Sequence, residues 1–464
     1  MSPRQRWVVR GLALLVVLGL VAPVAASALT YEPDPRSDLQ AGTVTSPANG
    51  TTVVSVQGYV FDGSTNAKKP ARIIGIGERG ETRWVHNDSV DDGAWFFDVD
   101  PLPNGNLLVS SPRAGQTVVY EFDPDSQERV WQQRFDMEDT HDVDRLSEDE
   151  LLIANMREWN ATSKTSDDRI VVYNRTTEEI TWEWYFRNHF PASTDGGYND
   201  DWSHVNDVDY IGDGRLLLSP RNFDQAIVVD MSSKEIVMRL GSDDEYEILR
   251  EQHNPDYLVS ENGTPTMLVA DSGNNRVVEY ARENGTWVRT WSVGSETLNW
   301  PRDADRLPNG NTLITDTLNH RVIEVTPTGE IVWEYYATWG PYDAERVAYG
   351  DESSGPTIRD MNASGSYDIT GSAGLAPGGD RGASFPARMR ATFAGTPLEG
   401  PMTAFATRWA HVAPWLRPVW MSSWDFAYAL GAGFVLVGWG LAEAVAARRR
   451  LTEVLRGAVD RVAG

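Results

Sequence analysis

The stretch NDVDYIGDGRLLLSP, residues 206–220, decides the fold, because related stretches recur along the chain. It contains an aspartate pair of the form D-x-D, a tight Asp-Gly turn and an apolar strand. Each copy is therefore predicted to form two antiparallel strands. Further copies return at intervals of about forty to fifty residues: FDVDPLPNGNLLVSS (97–111), HDVDRLSEDELLIAN (141–155), RDADRLPNGNTLITD (302–316) and, in degenerate form, HNPDYLVSENGTPTMLVAD (253–271).

Two more predicted strands follow each copy, so the repeat has four strands. The third strands include RIVVYNR (169–175) and RVIEVTP (321–327), and the fourth include ITWEWYF (180–186) and IVWEYYA (331–337). Six such groups over residues 42–340 predict an all-β fold, a six-bladed β-propeller. Tryptophans recur on the fourth strands, and we expect them to pack between blades: Trp84, Trp131, Trp182, Trp291 and Trp333.

The composition excludes several classes of function. The 464 residues carry a formal net charge of −26, which disfavours a nucleic-acid partner. The chain contains no cysteine, so disulfides, thiolate-bound metals and cysteine nucleophiles are excluded. An acidic surface with few lysines is typical of proteins in high salt, and we interpret the charge as halophilic adaptation.

Apolar segments lie near both ends of the chain. Residues 1–30 hold the run GLALLVVLGLVAPVAASAL after three arginines, which predicts a signal peptide or an N-terminal transmembrane anchor. Residues 424–447 predict a C-terminal transmembrane helix, followed by a short cytoplasmic tail, 448–464, that begins with three arginines. Because arginines flank the outer end of both segments, we expect the propeller on the extracytoplasmic side of the cell membrane.

The region between the apolar segments has two further features. Residues 341–420, rich in Gly, Ser and Pro, predict a linker whose aromatic and basic end lies on the membrane surface. N-x-S/T sequons predict an extracellular glycoprotein. They begin at Asn49, Asn87, Asn160, Asn174, Asn262, Asn284 and Asn362.

The residues just before the D-x-D pairs are expected to share one end of the central channel. The first strand of each blade borders that channel, so the loops that lead into these strands converge. Three of the seven histidines of the chain belong to this set, which makes it the candidate site. Its members are Phe97, His141, Asn206 with His204 two residues earlier, His253 and Arg302.

A second set follows the second strand of each blade: Ser111, Asn155, Ser219, Asp271 and Asp316, with Arg157, Arg221, Arg276 and Arg321 in the loops beyond. Imidazole and guanidinium groups together favour an anionic, tetrahedral ligand. We expect neither a cofactor nor a metal, because the usual acidic Ca²⁺ ligands do not converge in the channel set and cysteine is absent. A metal site built from His141, His204 and His253 is the open alternative.

Three segments at these positions resemble the arylsulfotransferase family of exported propellers. They are DWSHVNDVDYIGDGRLLLSPRN (201–222), QHNPDYL (252–258) and ADSGNNRVVEY (270–280). The family shows H-x-N before a strand, S-x-R after it, Q-H one blade later, and a D-N-G-like turn that leads to an arginine.

The resemblance implies transfer of a sulfuryl group from an aryl sulfate to a phenol, without a nucleotide sulfate donor. In that mechanism a histidine attacks sulfur and a sulfo-histidine forms, while neighbouring cations neutralise the sulfuryl oxygens. Matched residue by residue, the resemblance assigns His204 and Asn206 to H-x-N, His253 to Q-H, and Arg276 to the arginine after the turn. The predicted substrate-binding residues are Asn206, Arg221 and Arg302.

The nucleophilic histidine of the family has no counterpart at the corresponding position, which holds Arg302. The nearest candidate is His320 in TDTLNHRVIEV (315–325), and His141 is the substitute on channel geometry. The expected catalytic set is therefore His204, His253 and Arg276, with either His320 or His141.

Other functions are compatible with the same residues. One is a non-catalytic propeller that binds a ligand or a surface partner. Another is a quinone- or metal-dependent oxidoreductase, which the channel set disfavours for want of acidic ligands. His204, Asn206 and His253 are also compatible with hydrogen bonding that only holds loops, and His320 with a common propeller turn.

Overall fold

The structure is a computed structural model that describes residues 2–60, 67–87, 95–113, 115–375 and 384–463. It divides into two compact units, one of residues 35–379 and the other of residues 1–34 and 380–464. The first unit is built from strands and the second from helices.

The strands of the larger unit are rich in Val, Ile and aromatic residues, which favour extended backbone. In chain order they are β1 (Leu39–Val44), β2 (Thr52–Val56), β3 (Tyr59–Val60), β4 (Ala67–Lys69), β5 (Arg72–Ile76), β6 (Thr82–His86), β7 (Asp98–Pro101), β8 (Leu107–Arg113), β9 (Gln116–Asp123), β10 (Glu128–Phe135), β11 (Val143–Asp144), β12 (Glu150–Asn155), β13 (Trp159–Asn160), β14 (Thr165–Ser166), β15 (Arg169–Asn174), β16 (Glu179–Tyr185), β17 (Val205–Tyr210), β18 (Arg215–Pro220), β19 (Gln225–Asp230), β20 (Ile236–Gly241), β21 (His253–Val259), β22 (Pro265–Asp271), β23 (Arg276–Glu283), β24 (Thr286–Val293), β25 (Pro301–Arg306), β26 (Thr312–Asp316), β27 (Arg321–Val325), β28 (Ile331–Ala337), β29 (Pro341–Arg346) and β30 (Gly365–Tyr367).

These strands form the six blades of a β-propeller, which confirms the predicted fold class. From the channel outward, the blades are I (β29-β2-β5-β6), II (β7-β8-β9-β10), III (β11-β12-β15-β16), IV (β17-β18-β19-β20), V (β21-β22-β23-β24) and VI (β25-β26-β27-β28). The inner strands of neighbouring blades contact one another around the channel.

The ring of blades closes through both ends of the unit. β29 becomes the inner strand of blade I, where Ala344 pairs with Val54, and β1 adds an outer strand to blade VI, where Leu39 pairs with Ala337. The predicted linker therefore begins too early, since residues 341–346 are a strand. Their sequence PYDAER contains a sixth, altered copy of the D-x-D pair, with Glu in place of the second Asp.

The core lies between the blades and is filled by β-branched and aromatic side chains. The fourth-strand tryptophans pack there as expected: Trp291 and Trp333 are fully buried, while Trp84, Trp131 and Trp182 pack against buried clusters. Turns within the blades use residues with positive φ, such as Gly105 (+88°) and Gly310 (+85°) in the two Pro-Asn-Gly turns.

Inner strands carry an irregularity that matters for the channel. In β17, β21 and β25 the pairing register shifts between the first residue of the strand and the third or fourth. Such a bulge turns a side chain toward a new direction. In these three blades, the bulge allows the side chain before the D-x-D pair to point in a different direction from the side chains of the pair.

The smaller unit contains the helices α1 (Pro3–Thr30), α2 (Phe385–Phe393), α3 (Glu399–Leu416) and α4 (Ser423–Ala463). α1 and α4 pack together, with Arg10 paired to Glu443 at 2.6 Å. Leu20 lies against Gly431, so the two helices run antiparallel. α2 and α3 occupy much of the region predicted to be a linker.

Two helical stretches are long and apolar enough to cross a membrane, Arg4–Thr30 with mean hydropathy 2.5 and Ser423–Arg448 with mean hydropathy 1.7. Both lie almost wholly on the surface of the structure, which is unlike the core helix of a soluble protein. The predicted transmembrane segments therefore correspond to helices of the right length and composition.

Candidate active site at one end of the channel

The loops that lead into the inner strands bring most of the predicted residues together. The rings of His141 and His204 lie 5.0 Å apart between centroids, and those of Phe97 and His141 lie 4.1 Å apart. Blade I contributes Tyr342, whose ring lies 4.7 Å from that of Phe97 and 6.0 Å from that of His253. Five inner strands thus supply one cluster of imidazole and aromatic rings.

His204 is paired with a carboxylate. Its Nδ1 lies 2.7 Å from Oδ1 of Asp201, which accepts the Nδ1 proton, so the lone pair of the neutral ring is on Nε2. Burial lowers the pKa of His204 to about 4, although Asp201 opposes the shift. The preceding residue is fixed as well, since Ser203 donates its backbone N–H and hydroxyl to Asp168.

His141 belongs to a second relay. Its Nδ1 accepts a hydrogen bond of 2.8 Å from the hydroxyl of Tyr342, and its Nε2 lies 3.4 Å from Oδ1 of Asp139. Arg157 bridges the two relays, 2.7 Å from Asp139 and 3.4 Å from Asp201. Burial lowers the pKa of His141, so the ring is neutral near pH 7.

His253 also leaves one ring nitrogen uncommitted, and that nitrogen is buried. Its Nδ1 lies 3.2 Å from the carbonyl oxygen of Glu251, which can only accept, and 2.8 Å from Oγ of Ser272. Ser272 itself donates to the carbonyl oxygen of Pro301 at 2.6 Å, so Nδ1 of His253 carries the proton. The buried Nε2 then holds a lone pair, and it has no hydrogen-bond partner among the described residues.

The charges of two arginines act on this ring. Burial lowers the pKa of His253 well below its usual range, and the charges of Arg302 and Arg221 lower it further. Arg302 stacks over the ring of Tyr342 at 4.5 Å and donates to Gln57 at 2.6 Å, while its Nε has no partner among the described residues. A neutral nucleophile in the field of fixed cations suits an anionic electrophile.

Asn206 lies on the same inner strand as the D-x-D pair of blade IV. Its Nδ2 donates to the carbonyl oxygen of Gln252 at 3.0 Å, next to His253. Its buried Oδ1 has no partner within the described part of the chain. Asn206 therefore links the His204 loop to the His253 loop and still offers an acceptor.

The backbone of these loops is strained. φ is +40° at His204, +56° at Trp300 and +135° at Trp339, a region that bulky residues rarely adopt. Each of the three lies one or two residues before an inner strand, of blades IV, VI and I respectively. Strain of this kind persists where the fold fixes a functional geometry.

Aromatic side chains line the same end of the channel. Phe97 and Tyr342 are buried, while Trp95 and Trp300 are partly exposed. The ring of Trp95 lies 6.0 Å from Phe97, and that of Trp300 lies 6.3 Å from His253. Aromatic rings therefore flank the histidines at this end of the channel.

Two predicted catalytic residues lie outside the cluster. Arg276 pairs with Asp271 at 2.6 Å and donates to the carbonyl oxygens of Glu247 and Ile248. Asp271 in turn accepts from the backbone N–H of Arg250 at 2.8 Å, so Arg276 supports the loop that carries His253. Arg276 thus has the contacts of a positioning residue.

His320 is also set apart. It is fully buried at the left-handed position that ends a short turn, with φ of +58°. Its Nδ1 accepts from the backbone N–H of Gly340 at 3.3 Å. Asn275 holds the same left-handed position in blade V. Arg221, which was also predicted at the site, donates from its guanidinium to Oδ1 of Asn222. Its charge acts on the histidines, since it lowers the pKa of His204.

Sequence reasoning missed Tyr342, Asp139, Asp201 and Trp300. The signal for Tyr342 was present, because YDAE (342–345) repeats the pattern of HDVD and NDVD. The two aspartates had no such signal, since they lie in loops of different length that only the fold brings to the histidines.

The opposite end of the channel is acidic. A cavity of about 40 Å³ there is lined by thirteen carboxylates together with Asn254 and Pro255. They are Asp98, Asp100, Asp142, Asp144, Asp207, Asp209, Asp256, Asp303, Asp305, Asp343, Glu345, Asp351 and Glu352. The expectation that acidic Ca²⁺ ligands do not converge concerned only the channel set. It considered the residue before each D-x-D pair, whereas the pairs themselves converge.

The sequence model of the arylsulfotransferase (ASST) family matches residues 48–252. The match covers less than half of the chain, so it is a similarity of these residues to that family. The matched part contains His141, His204 and Arg221 and ends one residue before His253. The match confirms the resemblance and supports an arylsulfotransferase-like function in general terms.

Other comparisons add no functional conclusion. No curated protein matches the sequence. Solved structures similar to this chain include a protein of unknown function from Bacteroides caccae, at 13% identity and TM-score 0.44 over 64% of this chain and 98% of that one. A putative 6-phosphogluconolactonase from Bacteroides fragilis matches at 12% identity and TM-score 0.40, over 68% and 99%. A nidogen/laminin complex matches at 12% identity and TM-score 0.43, over 64% and 97%.

Proposed function

We propose that this protein transfers a sulfuryl group from an aryl sulfate to a phenol, with Nε2 of His253 as the nucleophile. The observation that carries the proposal is the tautomer of His253, whose bonded Nδ1 leaves an uncommitted, buried lone pair on Nε2. The charges of Arg302 and Arg221 act on the same ring and lower its pKa. The family match supports the reaction class.

In the first half-reaction, the lone pair of His253 forms a bond to sulfur and the bond between sulfur and the aryl oxygen breaks. The product on the protein is a sulfo-histidine. The aryl oxide leaves with a proton from the imidazolium form of His204, which Asp201 stabilises through Nδ1. Arg302 and Arg221 neutralise charge on the sulfuryl oxygens.

In the second half-reaction, a phenol takes the place of the departed one. Neutral His204 accepts its proton, and the phenol oxygen attacks the sulfur of the sulfo-histidine. The bond between sulfur and Nε2 breaks, so His253 is restored and His204 again holds the proton that the next leaving group requires. Trp95, Phe97 and Trp300 offer the aromatic surface on which either ring stacks.

The membrane arrangement is part of the proposal. Both apolar helices cross the membrane, α1 is retained as an anchor, and both termini are cytoplasmic, so the propeller lies outside. The antiparallel packing of α1 on α4, the Arg10–Glu443 pair and the arginines at the outer ends of both helices support this arrangement. Because the chain lacks cysteine, single Ser2→Cys and Ser46→Cys variants report topology cleanly. A membrane-impermeant maleimide applied to intact cells should label only the second.

The transfer itself is tested by the release of a coloured phenol from an aryl sulfate, with and without a second phenol. The proposal expects turnover that depends on the acceptor and a first turnover of about one equivalent without it. Release that is indifferent to the acceptor would indicate a hydrolase. Absence of release with any aryl sulfate would favour a propeller that binds ligands without turnover.

A further inference from the structure

The acidic end of the channel contains three compact groups of carboxylates. In each group the oxygens of three side chains lie within 4.8 Å of one another. The groups are Asp100 with Asp144 and Asp351, Asp142 with Asp207 and Asp209, and Asp303 with Asp305 and Glu345. Each group joins neighbouring blades: the first joins blades II and III with Asp351 of the loop after β29, the second joins blades III and IV, and the third joins blades VI and I.

In four of the blades, the first aspartate of the D-x-D pair accepts a hydrogen bond from a backbone N–H of the next blade. Asp98 accepts from the backbone N–H of Val143 in the next blade at 3.2 Å, and Asp343 accepts from that of Val99 at 3.0 Å. Asp142 and Asp303 make the same contact with Val208 and Ala344. These aspartates therefore form a ring of hydrogen bonds between blades.

The ring is broken at blades IV and V. At the position that corresponds to Val208, blade V has Pro255, which has no N–H to donate to Asp207. Oδ2 of Asp207 has no hydrogen-bond partner among the described residues, and the side chain is only 5% exposed. Oδ1 of the neighbouring Asn254 is also buried without a partner in the described part of the chain.

The other two groups show the same feature. Oδ2 of Asp100 and Oδ2 of Asp305 are without a partner among the described residues, in side chains that are 5% and 6% exposed. Each carboxylate group thus contains one buried oxygen that the protein leaves unpaired. An unpaired buried carboxylate is costly, because nothing replaces the hydration that it has lost.

Arginines lie outside the cavity, and the charges of Arg306 and Arg346 reach only its rim, at Asp256 and Asp305 respectively. The residues that line the cavity include neither Arg nor Lys. Arg306 and Arg346, at the ends of inner strands, pair with Glu279 at 3.1 Å and Glu324 at 2.7 Å instead. The cavity of about 40 Å³ admits a small ion or a few water molecules but no organic cation.

We propose that the acidic end of the channel binds a divalent cation of the Ca²⁺ type, held by Asp142, Asp207 and Asp209. The available donors are all oxygens, which suits a hard cation and not zinc. The amide oxygen of Asn254 is a fourth donor of the same class. Because Asp142 belongs to blade III and Asp207 to blade IV, the ion links these two blades. This link lies next to the position where the ring of hydrogen bonds between blades is interrupted.

The proposal is tested on the purified full-length chain in detergent, independently of any transferase assay. The protein is treated with chelator and then dialysed against Ca²⁺ alone or against NaCl of equal ionic strength. Metal content and thermal unfolding are then measured. We expect at least one Ca²⁺ per chain to be retained, and a higher melting temperature in Ca²⁺ than in matched NaCl.

Matched variants separate the site from general charge. Asp207→Asn should weaken Ca²⁺ binding by at least about tenfold. In chelator the same variant should melt above the wild-type protein, since it removes an unpaired buried charge. Asp213→Asn, at a side chain 91% exposed, should behave as the wild type in both conditions.

Three results would overturn the proposal. They are no Ca²⁺ retained by the wild type, equal melting temperatures in Ca²⁺ and matched NaCl, or unchanged Ca²⁺ affinity in Asp207→Asn. Should Asp207→Asn fail to fold, Asp209→Asn removes a second ligand, and the two wild-type measurements decide the question without any variant.

Discussion

The two ends of the channel are built from adjacent residues of the same repeat, yet they carry opposite chemistry. One end holds His141, His204, His253, Arg302 and Tyr342, and the other holds thirteen carboxylates. The D-x-D pair is nearly constant from blade to blade, whereas the residue before it differs in almost every blade. The constant aspartates accept hydrogen bonds that link neighbouring blades. The variable position supplies side chains of the candidate active site, such as His141, His253 and Arg302.

The largest expected effect is at the variable position of blade V. His253→Ala should lower kcat for aryl-sulfate turnover by about a thousandfold or more, because the nucleophile is removed. The assay is acceptor-dependent release of a coloured phenol. His320→Asn is the matched control, since Asn275 occupies the same left-handed position in blade V, and it should retain most activity. Equal losses of kcat in both variants would contradict the assignment of His253, and not His320, as the nucleophile.

Asp201→Asn is expected to have the next largest effect. It removes the carboxylate that fixes the Nδ1 proton of His204 at 2.7 Å, so the proton-transfer group loses its orientation. We expect a loss of about a hundredfold in kcat with a phenol that leaves poorly, and a much smaller loss with an acidic phenol. A loss that is independent of the leaving group would contradict the acid–base role of His204.

The pH dependence offers a finer distinction. Burial lowers the pKa of His204 to about 4, below the ordinary value of 6.5, while Asp201, Arg221 and His141 face the same ring. The neutral, proton-accepting form therefore persists between pH 6.5 and about 4. We expect kcat/KM for the phenol acceptor, whose proton neutral His204 accepts, to remain level down to about pH 5 and to fall below it. An acid limb centred near 6.5 would show that the imidazole is not desolvated.

The smallest expected effect concerns the constant positions. Asp343→Ala removes the acceptor for the N–H of Val99, 3.0 Å away across the closure between blades I and II. The expected loss of unfolding free energy is about 1–3 kcal/mol, from a buried donor left unpaired. Urea unfolding measures it, with Asp213→Asn as the surface control. Unchanged stability would mean that the hydrogen-bond ring contributes nothing to closure.

Much of the fold follows from the sequence because the repeat is a local pattern. The D-x-D pairs, the turns and the alternating strands of each blade are contiguous, and so are the two apolar helices. The closure was missed because YDAER (342–346) must pair with Thr52–Val56 at the other end of the chain. The helices α2 and α3 were missed because Gly- and Pro-rich neighbours obscure them.

The site was predicted in part, for a related reason. Residues tied to the repeat, such as His141, His204, His253 and Arg302, were found because their position in the blade fixes their place at the channel. Arg276 and His320 were assigned through the resemblance, but their local contacts hold loops and turns. Asp139, Asp201 and the direction of each D-x-D pair depend on loop paths and bulges, which the pattern does not reveal.

Several sequons also have a local explanation. The side chains of Asn160, Asn174 and Asn262 accept hydrogen bonds from backbone N–H groups two or three residues later. Turns of this kind favour Asn followed by Thr or Ser whether or not the protein is glycosylated. The prediction of a glycoprotein therefore stays a prediction.

The most direct test of the account is to locate the sulfuryl group on the protein. The purified chain is mixed with an aryl sulfate in the absence of a phenol acceptor, quenched in alkali, digested and analysed by mass spectrometry. The account predicts one SO₃ group per chain, on the peptide that contains His253, and its loss when a phenol is added before the quench. A label on His141 or His320, or acceptor-dependent turnover without any labelled histidine, would contradict it.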